Sequence, residues 1–222
     1  MNNFYTIDGG IPCKETKNRY PQVLKPIAPK GSELYKKITN LRNKSNPDAE
    51  GLIIEFELDP KTNPTDFISQ SWIGSIGLLV SIKTYKFLLD YNLQPEMEIY
   101  KATIHHKGKT HDYVWLNPIL DYDICIDFEK TKFFLFDFFS DTKEVIEIKD
   151  EKDLNRKSMQ YNPMPIIVTD NLITKNKNLI QYDLFLISIG SVSIKVSEHL
   201  KNELEQCNFT ALEFGKALPF NF

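Results

Sequence analysis

Three groups of residues in this 222-residue chain have the types and spacing to do chemistry. His105, His106 and His111 lie close together in sequence. A metal site needs ligands that converge on one point, usually His with Cys or a carboxylate. On a strand His105 and His106 point to opposite faces, so only one of them pairs with His111 across a hairpin. Exposed hairpin histidines, without a metal, are the expectation. Asp137, Glu147 and Lys149 fit the D…ExK spacing of metal-dependent nucleases. There two carboxylates hold Mg²⁺ and the lysine stabilises charge or positions water. Glu-x-Lys is also common on exposed strands, where cross-strand charge pairing explains it. A nuclease is therefore the alternative reading, and no metal or catalytic residue is assigned.

The third group is acidic. Tyr122, Ile124, Ile126 and Phe128 alternate with Asp121, Asp123, Cys125, Asp127 and Glu129. This period-two pattern predicts a strand with an apolar side and a polar side. Asp121, Asp123, Asp127 and Glu129 then share one face at intervals of about 7 Å and repel one another. Such a face calls for neighbouring lysines (Lys130, Lys132 and Lys143 are available), a bound cation or a basic protein partner. These four carboxylates are the expected partner-binding residues. Should they not serve, the aromatic strand pair from Phe133 to Phe139 is the next surface. No G-x-S-x-G elbow, P-loop or G-x-G-x-x-G is present, and no cofactor is expected.

Stepping outward to the elements that hold these groups, one segment occurs twice. Ile73-Gly74-Ser75-Ile76 through Asn92-Leu93 aligns without a gap on Ile189-Gly190-Ser191-Val192 through Asn208-Phe209, with seven identities in 21 positions. After one residue's gap, Met97-Glu98-Ile99-Tyr100-Lys101-Ala102 faces Leu212-Glu213-Phe214-Gly215-Lys216-Ala217. Chance gives roughly one or two identities in such a stretch, which indicates a duplicated supersecondary unit, residues 72–102 and 188–217. Each copy reads as strand, turn, strand, helix, strand. Gly74 and Gly190 suit turns with positive φ. Ser81 and Ser197 suit helix N-caps, and Asn92 and Asn208 suit left-handed helix ends. Val196, Leu200, Leu204 and Cys207 make one helix amphipathic. The other, Ile82 to Tyr91, is more apolar and is expected to be the more buried.

Elsewhere, Phe4 to Ile7 and Ile53 to Leu58 read as strands, and Ser32 as the cap of a helix through Leu41. Tyr100 to His106 and Tyr113 to Asn117 read as a hairpin about Lys107-Gly108-Lys109-Thr110. Lys132 to Phe139 and Val145 to Ile148 form another strand pair. Ile166 to Thr169 and Leu184 to Ile189 complete the strands. Asp150 to Met164 is loop-like, with a helical turn at most from Asp153 to Met159. The sum is an α+β fold, mostly antiparallel strands with a few helices, in one domain spanning 1–222.

Hydrophobic residues make up 41% and charged residues 26%, with a net charge of −3, so nothing draws the chain as a whole to nucleic acid or an anionic membrane. No apolar run approaches the ~20 residues of a membrane helix. The opening Met1-Asn2-Asn3-Phe4-Tyr5 lacks the pattern of a signal peptide. Cys13, Cys125 and Cys207 are odd in number and far apart, which indicates neither a disulfide framework nor a zinc knuckle. The expected location is cytoplasmic.

Val196-Ser197-Glu198-His199-Leu200-Lys201-Asn202-Glu203-Leu204 followed by Phe209-Thr210-Ala211-Leu212-Glu213-Phe214 resembles a C-terminal signature, V-S-E-x-L-K-x-x-L-E…T-G-x-E-F. It is that of immunity proteins from bacterial polymorphic toxin systems, in particular the immunity families numbered eleven and forty-three, one formerly a domain of unknown function. Tyr113-Val114-Trp115-Leu116-Asn117 with the Asp121-to-Phe128 stretch and Glu129-Lys130, and the Ser81-to-Tyr100 unit, fit the same pattern. Ala211 stands where those families often have Gly. The resemblance covers residues 72–214 and leaves residues 1–60 outside. It implies a protein that binds and neutralises a cognate toxin without catalysis, through contacts that differ from member to member. If that toxin is a basic nuclease, the acidic residues take the place of nucleic-acid phosphates and speed association.

Overall fold

The computed structural model describes residues 4–46, 49–119, 126–161, 165–169, 172–173, 179, 181–189, 191–215 and 220–221. In chain order the elements are β1 (Phe4–Gly9), β2 (Val23–Pro26), α1 (Glu33–Thr39), β3 (Ile53–Leu58), β4 (Phe67–Ile68), β5 (Leu78–Ser81), α2 (Ile82–Leu88), β6 (Met97–His106) and β7 (Lys109–Pro118). There follow β8 (Phe133–Asp137), β9 (Thr142–Ile146), α3 (Glu151–Tyr161), β10 (Ile166–Val168), β11 (Leu172–Ile173), β12 (Leu184–Ile189), β13 (Ser191–Ser197), α4 (Glu198–Gln206), β14 (Leu212–Gly215) and β15 (Phe220–Asn221). The fold is α+β and its strands are mostly antiparallel. They form sheets of order β2-β3-β6-β7-β5-β4, β12-β13-β1-β14, β10-β8-β9 and β11-β15.

From β5 and β13 onward the repeated sequence is a repeated structure; before them the copies differ, since residues 73–77 form no strand whereas Ile189 and Ser191–Ser193 belong to a paired hairpin. In the six-stranded sheet Leu78 to Ser81 face Leu116 to Tyr113, and Met97 to Tyr100 face Pro118 to Trp115 on the same strand β7. In the four-stranded sheet Ile194 to Ser197 face Ile7 to Phe4, and Leu212 to Gly215 face Gly9 to Thr6 on β1. Setting β7 on β1, with Tyr113 over Phe4, carries β5 onto β13 and β6 onto β14. The pairs that result are those of the sequence match, its one-residue gap included.

The central strand of each copy comes from elsewhere in the chain. β7 completes the first copy through the two-residue turn Lys107-Gly108, both with positive φ as a type I′ hairpin requires. β1 completes the second copy from the far end of the chain. Between β1 and β4 lie β2, α1 and β3, with β2 antiparallel to β3. Between β7 and β12 lie β8, β9, α3 and β10, with β8 antiparallel to β10. The chain is thus two halves of like plan, each lending its first strand to the sheet of the other.

Three apolar clusters hold the halves. One lies between the two duplicated units and draws on both alike, with Val80, Leu88 and Leu116 from the first and Val196, Leu204 and Ile7 from the second. On the outer face of the six-stranded sheet Phe56, Leu79, Tyr100 and Trp115 pack under Ile38 and Leu41. On the outer face of the four-stranded sheet Phe4 and Phe185 pack under Phe133, Leu154 and Ile167. Alternating strand faces make this layering possible, since each central strand buries one set of side chains inward and the other outward.

Polar clasps repeat as well. Ser81 and Ser197 cap α2 and α4 by accepting from the Thr84 and Leu200 amides at 3.2 and 3.1 Å. Each hydroxyl donates to an aspartate, Asp66 or Asp183, at 3.2 and 2.6 Å. The second oxygen of each aspartate reaches across to the other copy. Asp66 accepts from the Thr210 amide and hydroxyl at 3.0 and 2.9 Å, and Asp183 accepts from the Asn92 amide at 3.1 Å. Each carboxylate therefore fixes its own helix start to the loop after the other helix.

Several expectations are corrected. Gly74 has no positive φ; a side chain there would strike Arg42 and the Thr39 carbonyl, so close approach is its constraint. Gly190 lies outside the described residues. Asn208 does adopt φ 51°, but Asn92 is not left-handed and donates from its side chain to the Gln181 carbonyl at 2.8 Å. The more apolar α2 is the more buried, as expected: only Lys83 and Lys86 of its seven residues are exposed, against five of the nine in α4. Residues 151–161 form a full helix where a turn at most was expected. Asp150 caps it by accepting from the Asp153 amide at 2.7 Å, and Leu154 anchors it in the core. Asp153, paired with Arg156 and Lys157, holds its first turns and has its carboxyl pulled down to about 2, chiefly by the Arg156 hydrogen bond.

Candidate interaction surface

The acidic stretch does not form the expected strand where it is described. Ile126 and Phe128 are buried as predicted, but by a turn over residues 128–130. The Asp127 amide donates to the Ile173 carbonyl at 2.8 Å, and the Asp127 carbonyl accepts from the Thr131 amide at 2.9 Å. Its carboxylate accepts from the Lys130 amide at 3.3 Å and pairs with the Lys130 ammonium at 3.0 Å. An aspartate that can bond the backbone ahead of it favours a turn over continued pairing. Alternation of burial alone does not distinguish the two. Asp127 is buried and committed to this turn, and only Glu129 is exposed. Asp121, Asp123 and Cys125 lie outside the described residues.

Asp137, Glu147 and Lys149 are not brought together. In the β8–β9 hairpin Asp137 faces Thr142 at the turn, whereas Phe133 faces Ile146 at the opposite end, next to Glu147. The two carboxylates are thus separated by the length of the hairpin, roughly 13–17 Å at strand rise. Asp137 is occupied locally: its Oδ1 accepts from the Phe139 amide at 2.8 Å, which holds the carboxyl below its ordinary range.

The histidines differ from the exposed trio expected. His105 Nε2 lies 2.7 Å from the Glu55 carboxylate on the parallel neighbour β3. His106 is buried; burial, with Lys107 and His111 nearby, pushes its imidazole below the usual value. Its Nε2 has no partner, and its ring sits 6.5 Å from that of His111. Among the described residues no three His, Cys, Asp or Glu are placed to hold a metal ion. Cys13 and Cys207 are free thiols.

What the chain does present is an aromatic face. Along β8, Phe133 and Leu135 point into the core with Ile146 and Ile167. Phe134 and Phe136 point the other way, beside Val145, Lys143, Ile166 and Val168 on the flanking strands. Phe138 continues that face, edge-on to Phe136 with ring centroids 4.6 Å apart. Phe138, Phe139 and Val145 are 55%, 89% and 71% exposed. Single exposed apolar residues are ordinary, but a contiguous group of this kind marks a contact surface. Within and beside the hairpin stand the carboxylates Asp137, Asp141, Glu144 and Glu147 and the lysines Lys132, Lys143 and Lys149.

One buried group carried no signal in the sequence. Lys195 on β13 is 3% exposed, and its ammonium has no hydrogen bond or ion pair among the described residues. Burial pulls its pKa down to about 8, opposed only weakly by the charge of Asp8. Its counterpart in the first copy is Leu79, packed on Trp115. The duplication, used as a comparison of equivalent positions, is the signal that would have found it.

No family model matches the chain, and no curated protein matches it. No helix among the described residues is long and apolar enough to cross a membrane.

Proposed function

We propose that the chain is a binding protein that neutralises a protein toxin made by the same cell, in the cytoplasm, by occluding it and without catalysis. The observation that carries this reading is the exposed aromatic face of β8, β9 and β10, with carboxylates at its edge. Protein interfaces have apolar, aromatic centres and polar rims. Phe134, Phe136, Phe138, Phe139 and Val145 supply such a centre, and Asp137, Asp141 and Glu147 stand at its edge. Glu129, from the acidic stretch read in the sequence, stands beside it. Acidic rims steer basic partners and raise association rates, while the buried apolar contacts set the lifetime of the complex.

The test is co-expression with the toxin encoded beside this chain. Wild type should restore growth. A variant with Phe138→Asp, Phe139→Asp and Val145→Asp should fail to do so, while its circular dichroism and melting match wild type. Full rescue by that variant would move the binding surface elsewhere, and absence of any such toxin gene would remove the reading.

A further inference from the structure

The two halves of the chain serve as references for one another, and the second half carries strands that the first lacks, β9, β11 and β15. In the first half β2 and β3 pair directly, with α1 between them in sequence. In the second half β8 and β10 pair in the same sense about α3, and β9 is added on the far side of β8. The fold does not require β9, since the first half is complete without an equivalent. β9 also differs in its surroundings. β3 goes on to pair with β6, whereas β9, among the described residues, pairs with β8 alone. Among the described residues nothing pairs with its outer edge, and Thr142 to Val145 are all exposed.

We propose that the free edge of β9 takes an extended segment of a basic protein as an added strand. This rests on the protein-binding reading above and names the chemistry of the partner. An open edge carries a row of unpaired N–H and C=O groups, the template for strand addition. Edges meant to stay single are guarded by charges, lysine above all. Here the one lysine of β9 is turned away from that duty: Lys143 Nζ lies 5.4 Å from the centroid of the Phe134 ring.

The side chains of β9 set what the added strand must look like, because directly opposed residues share a face. On the outward face Val145, backed by Phe134, calls for an apolar residue. On the inward face Glu144 calls for Lys or Arg, and it has no ion pair among the described residues. The foot of β9 opens into a groove of about 570 Å³. Phe133 and Ile146 form its floor, and Glu129 and Glu147 line it together with Lys132 and Lys149. The added strand therefore alternates apolar and basic side chains, the basic ones opposite Glu144.

The full-length protein tests this without any toxin. Three capped octapeptides are used as probes: alternating Val and Lys, alternating Val and Glu, and four Val followed by four Lys. Amide hydrogen exchange is read residue by residue by NMR. The alternating Val-Lys peptide should slow exchange at every second residue of Thr142–Ile146 by at least about tenfold, the level at which the edge amides are mostly bound. The other two peptides at equal concentration should not. Glu144→Lys should weaken the Val-Lys peptide at least fivefold and leave the spectrum otherwise unchanged. No protection of β9, or equal protection by the Val-Glu peptide, would overturn the assignment. If β9 stays unprotected while the Phe138, Phe139 and Val145 variant still loses neutralisation, the aromatic face binds the toxin without strand addition. In that case the edge assignment alone falls.

Discussion

Replacing Lys195 by the residue its counterpart carries should stabilise the protein. An ordinary lysine titrates at 10.5, and Lys195 in the fold at about 8. Each tenfold change in proton affinity is worth about 1.4 kcal/mol, so holding the protonated amine in place costs about 3 kcal/mol. The sign follows from linkage. Between pH 8 and 10.5 the unfolded chain holds the proton that the folded chain has released, so stability rises with pH in that window. Below pH 8 the full penalty is present. Lys195→Leu removes it and keeps most of the aliphatic contact, as Leu79 does on the equivalent strand. For a chain of this size about 3 kcal/mol corresponds to a rise in melting temperature of about 6–12 °C. Thermal and urea unfolding at pH 7 and at pH 10, for wild type and variant, give the answer. The gain should be largest at pH 7 and shrink at pH 10. Taking the difference at each pH cancels the tyrosines, including Tyr100 and Tyr113, whose phenols burial pushes above the usual range. A variant no more stable than wild type at pH 7, or a gain that does not change with pH, would refute the reasoning.

Three further outcomes are expected. Asp66→Asn leaves at least one of its three acceptor roles unfilled and should cost about 1.5–3 kcal/mol, the worth of a hydrogen bond to a charged group; urea midpoints of Asp66→Asn and Asp183→Asn should fall together. His106 is held neutral in the fold, so acidification below pH 6.5 should destabilise wild type as the unfolded chain gains the proton first. His106→Gln should flatten that part of the pH–stability curve. Phe139→Asp, at a position 89% exposed, should change folding stability by no more than about 0.5 kcal/mol, read by thermal melting, while raising solubility.

Local signals in the sequence were enough for most elements. Ser32, Ser81 and Ser197 announced their helices because a capping hydroxyl is a local requirement. Lys107-Gly108 announced its hairpin because a type I′ turn needs positive φ at both positions. The duplicated unit was legible down to its register, since a strand's side chains must keep their faces. What failed did so for reasons that periodicity does not carry. Period two at Ile126 and Phe128 reported burial, but the Asp127 carboxylate, which accepts from the Lys130 amide, favours a turn there. The helix at 151–161 is made mostly of good helix formers but has only Leu154 as a buried apolar residue, so periodicity did not reveal it. The place of β1 could not be read, because neither of its neighbours is near it in sequence and its counterpart β7 follows β6 directly. Of the candidate site, the Phe133-to-Phe139 stretch was visible as a strand, but which aromatics face outward depends on what packs beneath.

The lending of first strands also bears on how the molecule is made. Tyr5 donates from its hydroxyl to Glu198 at 3.3 Å, across 193 positions of chain. β1 is synthesised long before β13 and β14, between which it sits. The first sheet can assemble once β7 emerges, but the second has no central strand to pair with unless β1 has stayed free throughout. Contacts so distant close slowly and leave an unpaired, partly apolar strand exposed meanwhile. A nascent chain stopped before β13 keeps both edges of that strand open, and one that has passed β14 closes them. Closure of the four-stranded sheet therefore reports that synthesis has passed β14, and a copy stopped short of β13 displays the sticky strand on which cellular quality control can act.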